Sequence, residues 1–244
     1  MGTDSNTTAI ERLVKDLRDA HQENLASITL YGSSATGDQA HARSDHNVLV
    51  VLRHITADDL RLSQPAVQNW RNAGQPTPVF LTVDELKNGA DVFPIEFLQM
   101  ERARKVLHGS DPFEFVEISS ANLRHQTEYE LRTKFIQLRR LYASQPGSRT
   151  NVATLMIDSF ASFAALFRAV LILLGHEAPL LNADAVRATV TLLGLDGSPF
   201  EWILGRRAEK ASPPTDSEVT AVFGAYLTQI QQVIDMVDRL DRSS

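Results

Sequence analysis

The sequence predicts an α/β domain over residues 1–113, followed by an all-α helical bundle over residues 114–244. Two observations support this prediction. Before residue 113, short β-branched runs of strand length alternate with segments whose apolar residues recur at helical spacing. After residue 113, nearly every segment has the helical spacing, and a length of 244 residues suffices for two modest domains.

The first half alternates between predicted helices and strands. Helices are predicted over residues 8–24 and 58–73, where apolar residues recur at helical spacing. A short helix begins at Thr82, because Thr82 and Glu85 form the pattern of a capping box. The strand candidates are apolar or β-branched runs, over residues 27–31, 47–52, 78–81 and 93–100.

The second half has the pattern of an antiparallel bundle with short loops. Residues 152–174 are apolar nearly all round, which is typical of the central helix of a bundle. Asp158 and Arg168 lie within this segment, and a helix exposed to lipid tolerates such charges poorly, so we expect it to be buried in protein. The other helices are predicted over residues 122–143, 183–193, 199–206 and 216–240.

Composition excludes several classes of site. The chain has no cysteine, which excludes disulfides, thiolate zinc sites, iron–sulfur clusters and cysteine nucleophiles. A formal net charge of −6 argues against a dedicated nucleic-acid binder, because such proteins need a basic surface that neutralises phosphates. The first eight residues are polar and lack the apolar core of a secretory signal, so the expected compartment is the cytoplasm.

One segment carries a pattern that suits phosphate binding. The predicted strand 27–31 ends in Gly32 and Ser33, and a strand that ends in such a turn presents backbone N–H groups to an anion. Asp45 and Asn47 follow at the start of the next strand. A period of two places both of these side chains on one face of the strand and His46 on the other, which suits oxygen ligands around a hard cation such as Mg²⁺.

This arrangement resembles the nucleotidyltransferase superfamily that shares the catalytic fold of DNA polymerase β. The shared signature is an apolar strand, Gly-Ser, a spacer, and an acidic pair that opens an apolar strand; Gly32, Ser33 and Asp45 match it. The similarity is greatest to bacterial small-molecule nucleotidyltransferases of the aminoglycoside type. It implies a small mixed sheet, a following helical domain, and transfer of a nucleoside monophosphate from an NTP, with ATP expected, to a hydroxyl.

The resemblance also implies a Mg²⁺ site on Asp45, Asn47 and Glu96, with Gly32 and Ser33 holding the triphosphate. Asn47 departs from the family, which has a second carboxylate there, and an amide offers one neutral oxygen without a charge. Two interpretations stay open: a nucleotidyltransferase impaired by Asn47, and a catalytically inactive nucleotide-binding or regulatory module of the same fold.

Two further residues are implied by the resemblance. The family uses a third acid on a later strand, and Glu96 lies in the apolar candidate strand 93–100, as a metal ligand or general base. A structural ion pair of Glu96 with Arg102 or Arg104 is the alternative. Some relatives supply a phosphate-binding lysine from the helical domain, and Lys134 would take that role; Glu130 lies one helical turn before it, and a solvated ion pair is the alternative.

The expected partners are a nucleotide and a small-molecule or protein hydroxyl acceptor. A nucleic-acid acceptor is less favoured than these, and no membrane partner is expected. A third interpretation is an interaction protein whose helical bundle pairs with itself or with another chain, so a homodimer stays open.

Overall fold

A computed structural model of the chain describes residues 2–32, 46–144, 149–208 and 215–240. Ser33 and Asp45, two of the predicted site residues, lie outside these ranges. The chain divides into two compact units, Met1–Ser119 and Ser120–Ser244. This division falls six residues after the predicted boundary at residue 113, because Phe113, Val116 and Ile118 pack into a core of the first unit.

Helices and strands alternate through the first unit. In chain order they are α1 (Gly2–His21), a 3₁₀ turn (Gln22–Asn24), β1 (Leu25–Tyr31), β2 (Asn47–Leu52), α2 (Ala57–Asn72), β3 (Val79–Thr82), α3 (Val83–Asn88), α4 (Pro94–Arg102) and β4 (Arg104–Gly109).

The described strands form one mixed sheet in the order β3-β2-β1-β4. β1 is antiparallel to both of its neighbours, whereas β2 and β3 are parallel. The predicted small mixed sheet is therefore confirmed. At the end of β1, Tyr31 pairs with Asn47 on one side and with Arg104 on the other, so three strands meet there.

The sheet is buried on both faces, which is why β1 and β2 have long apolar runs. Ile28, Val48 and Val50 pack in one core with Leu13 and Leu17 of α1 and with Trp70 of α2. Leu49 and Val51 point to the opposite face and pack with Phe97 of α4 and with Phe113. This alternation is the period of two expected for a strand.

The prediction of a strand over residues 93–100 is wrong. Residues Pro94–Arg102 form helix α4, and Pro94 at its start favours a helical φ and needs no hydrogen bond from its nitrogen. Pro94, Phe97 and Met100 recur every three residues and are buried, as on one face of a helix. The fourth strand is β4 instead, a largely exposed edge strand whose polar sequence has no apolar alternation.

Helices build the described part of the second unit. They are α5 (Ser120–Ser144), α6 (Arg149–Leu173), α7 (Asn182–Leu193), α8 (Ser198–Arg207) and α9 (Asp216–Leu240). Its core is aromatic: Tyr226 is buried with its ring edge-on to Phe200 at 5.5 Å and to Phe163 at 5.9 Å. Burial holds the pKa of the Tyr226 phenol far above its usual value, and its oxygen shares a hydrogen bond with Ser159 Oγ.

Helix α6 is central to this unit, as the sequence predicts. Arg168 is accommodated there because its guanidinium donates to the carbonyls of Pro179 and Leu180 and to Asn182 Oδ1, and burial lowers its pKa. Asp158 lies exposed. Among the described helices, α6 from Asn151 to Leu173 is long and apolar enough to cross a membrane, but half of that stretch is buried inside the unit. The cytoplasmic location stays a prediction.

Gly109 fixes β4 against β1. It has a φ of +78°, and a Cβ at this position would lie 2.0 Å from the carbonyl oxygen of Ala26. Gly74 has a similar φ of +82°, but nothing lies within 4 Å of its added Cβ. An alanine at either position would have the same unfavourable backbone conformation. Of the two, only the one at Gly109 would also have a Cβ that clashes with the Ala26 carbonyl.

We expect Gly109→Ala to lower the free energy of unfolding of the first unit by more than about 3 kcal/mol, because the ladder has to shift. The matched control Gly74→Ala should cost only about 1 kcal/mol of left-handed strain. Urea denaturation in a Trp202→Phe background, where Trp70 is the remaining tryptophan, measures both. Equal losses in the two variants would contradict the close approach of Gly109 to Ala26.

A buried histidine joins α1 to α2. His21 is 5% exposed, and its Nε2 lies 2.7 Å from Ser63 Oγ. Its Nδ1 has no hydrogen-bond partner among the described residues. Burial lowers the pKa of His21, and the nearby Asp59 carboxylate only partly opposes that shift.

Stability should therefore fall in acid through His21. Above pH 6.5 the side chain is neutral in both states; below it, the unfolded chain takes up the proton first, so the unfolding free energy drops by at most about 1.4 kcal/mol per pH unit. Urea titrations from pH 7.5 to 5 should show a shallower decline for His21→Gln than for the wild type. Parallel curves would show that His21 does not contribute.

Candidate functional site

The bend after β1 begins with Gly32 in a left-handed conformation. Its φ is +81°, a value that favours glycine. Its N–H donates to the carbonyl of Ala103 at 2.8 Å, so this amide is engaged. The expectation of free N–H groups is thus wrong for Gly32. Its N–H continues the hydrogen bonding between β1 and β4 by one residue beyond the last pair, Tyr31 and Arg104. Ser33, the second residue of the predicted turn, lies outside the described residues.

Asn47 lies directly beside this bend. It opens β2 and pairs with Tyr31, and a Cβ added to Gly32 would lie 3.4 Å from Asn47 Nδ2. His46 belongs to the other face: its ring lies 6.4 Å from that of Trp70. The predicted alternation of these two side chains is confirmed. Asp45, the matched carboxylate of the signature, lies outside the described residues.

Tyr31 is a neighbour of the bend that sequence reasoning missed. It pairs with Asn47 and Arg104, packs partly against the core of Leu49 and Val51, and is half-buried. Burial raises the pKa of its phenol above the usual value, so it stays a neutral hydroxyl at physiological pH. Asn47, Tyr31 and Arg104 thus lie at paired positions of the three neighbouring strand ends.

Glu96 is not on a buried strand. It lies exposed in the first turn of α4. Neither β3 nor β4, the two described strands after β2, contains Asp or Glu. Glu96 is therefore not an acid on a later strand, and its role as metal ligand or general base stays a prediction.

The residues that the structure describes do not fit a two-cation site. Within the described ranges, no three His, Asp or Glu side chains cluster as metal ligands. Asn47 supplies one neutral oxygen where the resemblance implies a carboxylate. Two divalent cations need several carboxylate oxygens, and of the predicted ligands Asn47 is not a carboxylate and Asp45 lies outside the described residues.

Lys134 and Glu130 belong to α5 of the second unit. Lys134 Nζ lies 3.6 Å from Glu130 Oε2, and both side chains are about one-third exposed. This is the i,i+4 ion pair of a helix surface, which contributes little to stability. The phosphate-binding role of Lys134 stays a prediction.

An ion pair that the sequence did not indicate lies at the start of β4. Arg104 donates through Nε and Nη2 to both carboxylate oxygens of Asp111, at 2.7–3.0 Å. From the sequence, Arg104 is predicted only as one of two possible ion-pair partners of Glu96. Asp111 is seven residues away in an irregular segment, so no helical or strand spacing could have indicated the pair.

Neither a protein-family model nor a curated protein sequence matches the chain. Among solved structures, it is similar to spectinomycin adenyltransferase AAD(9) from Enterococcus faecialis, crystallised with ATP and spectinomycin. The TM-score is 0.58 at 15% identity, and the match covers 92% of this chain and 99% of that one. The chain therefore has the nucleotidyltransferase-like fold with its helical region, as the resemblance implied.

The geometry of the bend can be tested by Gly32→Ala. We expect a loss of about 1 kcal/mol in unfolding free energy from the left-handed φ alone, since 3.4 Å to Asn47 Nδ2 is an ordinary contact. Gly74→Ala, with the same strain and open space, should lose the same amount. An unchanged stability of Gly32→Ala would contradict the positive φ, and a much larger loss would contradict the space beside Asn47.

Proposed function

We propose that this protein binds a nucleoside triphosphate, ATP first among them, at the bend after β1 and does not transfer its nucleoside monophosphate. It is a nucleotide-binding or regulatory module with a nucleotidyltransferase-like fold. The observation that carries the proposal is the set of side chains at the strand ends: Asn47 replaces a carboxylate, and β3 and β4 bring none.

Two observations support a nucleotide as the ligand. The solved neighbour was crystallised with ATP, and its likeness extends over 92% of this chain. On this chain, Gly32 has a left-handed φ at the bend, and Asn47 lies beside it with an amide that can donate to an anion. Backbone N–H groups and neutral side-chain donors are groups that bind phosphate oxygens in proteins.

The absence of transfer follows from charge. Transfer requires the charge that develops between the phosphates to be neutralised, which metal ions held by carboxylates supply in this class of reaction. Asn47 contributes no charge, and its N–H₂ group donates to an anion instead of ligating a cation. The amide of Asn47 therefore weakens the binding of a metal ion and strengthens a direct hydrogen bond to a phosphate oxygen.

The competing function is transfer to a hydroxyl of a small molecule or protein, with Asp45, Asn47 and Glu96 around Mg²⁺. It is favoured by the solved neighbour, an adenyltransferase that was crystallised with ATP and spectinomycin. The two functions make opposite predictions about Mg²⁺.

The test compares nucleotide binding with and without the cation. ATP should raise the melting temperature equally in Mg²⁺ and in EDTA, by an amount equivalent to about 2.7 kcal/mol at a hundredfold excess over Kd. Asn47→Asp should abolish the shift in EDTA through repulsion of the phosphates and restore it with Mg²⁺. Asn88→Asp adds the same charge on exposed α3 and should behave as the wild type.

Pyrophosphate release is the second readout. We expect none from ATP with Mg²⁺ and a panel of hydroxyl acceptors that includes aminocyclitols. Mg²⁺-dependent release that is lost in both Asp45→Ala and Glu96→Gln would overturn the proposal in favour of the transferase. Absence of any ATP-dependent shift would overturn nucleotide binding itself.

A further inference from the structure

We infer that Arg104 and Asp111 are positioning residues for the nucleotide site, because their ion pair fixes the carbonyl that holds Gly32. The inference rests on the proposed function, since it assigns these residues to the binding of the same nucleotide.

Arg104 joins the end of α4 to the start of β4. The helix ends at Arg102, and β4 begins at Arg104. Arg104 Nη1 donates back to the carbonyl of Glu101 in the last turn of the helix. Through Nε and Nη2, the same guanidinium donates hydrogen bonds to both carboxylate oxygens of Asp111 at 2.7–3.0 Å. One side chain thus fixes the backbone on both sides of Ala103.

The far end of the pair is anchored in the core. Asp111 Oδ1 also accepts from the backbone N–H of Phe113 at 3.0 Å. The ring of Phe113 is 3% exposed, packs against Phe97, and lies 5.7 Å below the guanidinium of Arg104. The carboxylate is therefore held by the backbone of Phe113 as well as by Arg104, which restricts the motion of the pair.

Ala103 lies at the centre of this arrangement and touches the site. Its carbonyl accepts the Gly32 N–H at 2.8 Å, and the next residue, Arg104, pairs with Tyr31 as the last pair of the ladder. The direction of that carbonyl depends on the backbone at Glu101 and Arg104, both held by the guanidinium. A change in the ion pair should reach the bend through one hydrogen bond.

This pair differs from the ion pairs on helices α1 and α2. Arg12–Asp16, Lys15–Asp19 and Arg61–Asp58 are single contacts between helix residues three or four apart, with one oxygen each. Arg104–Asp111 is bidentate, spans irregular chain, and holds the pKa of Asp111 below its usual value, chiefly through the hydrogen bonds from Arg104. Bidentate geometry gives the orientation that a positioning role needs.

Asp111→Asn tests the inference, because it keeps the shape and the bond from Phe113 while removing the charge. Arg104→Lys keeps the positive charge but removes the guanidinium that makes the bidentate contact with Asp111. Both should weaken ATP binding in EDTA about tenfold, the size typical of residues coupled to a site at a distance. The control Glu201→Gln breaks a comparable bidentate pair with Arg187 in the second unit and should leave Kd within about twofold, the scatter of the method.

Amide hydrogen exchange separates positioning from general destabilisation. In Asp111→Asn and Arg104→Lys, the amide of Gly32 should exchange at least about tenfold faster, whereas the amides of Ile28 and Val50 in the core keep their protection. A merely structural role would accelerate all of these amides together and would leave Kd unchanged well below the melting temperature. If Asp111→Asn does not fold, Arg104→Lys carries the test.

The outcomes separate the two proposals. Wild-type protein that does not bind ATP would overturn the proposed function and this inference with it. Wild-type protein that binds ATP, with variants that bind equally well and keep Gly32 protected, would overturn the positioning role alone and leave the proposed function standing.

Discussion

The hydrogen bond from the Gly32 N–H to the Ala103 carbonyl, 2.8 Å long, holds the bend in place where β1 leaves the sheet. On one side Tyr31 pairs with Asn47, and on the other it pairs with Arg104, so three strand ends are fixed relative to one another. The first amide of the bend is therefore engaged within the sheet, so in the proposed nucleotide site the Gly32 N–H is not a donor to phosphate.

The fold does not depend on the charge at position 47. Val48 to Leu52 are all buried, and their burial holds β2 between β1 and β3 whatever side chain precedes them. Asn47 lies half-buried at the strand end, where an amide and a carboxylate have nearly the same shape. Replacing a carboxylate by an amide at this position should therefore cost little stability. A similar fold does not by itself imply the same activity.

The sequence predicted what depends on period and local chemistry. The apolar runs of β1 and β2 are recognisable because these strands are buried on both faces, and the opposite faces of Asn47 and His46 follow from strand alternation. Strand β4 is not recognisable because an exposed edge strand needs no apolar alternation, and residues 93–100 have the apolar content of a strand although Pro94 starts a helix there. That error also carried Glu96 into the predicted metal site. The Arg104–Asp111 pair depends on tertiary packing around Phe113, which no local pattern encodes.

The account as a whole predicts a nucleotide site in which neutral donors replace bridging cations. Isothermal titration of the full chain with ATP, once in excess EDTA and once in excess Mg²⁺, measures this most directly. We expect the same dissociation constant in EDTA and in Mg²⁺, because the Asn47 amide binds the triphosphate without a bridging cation. Binding that is detected only in Mg²⁺ would contradict the account.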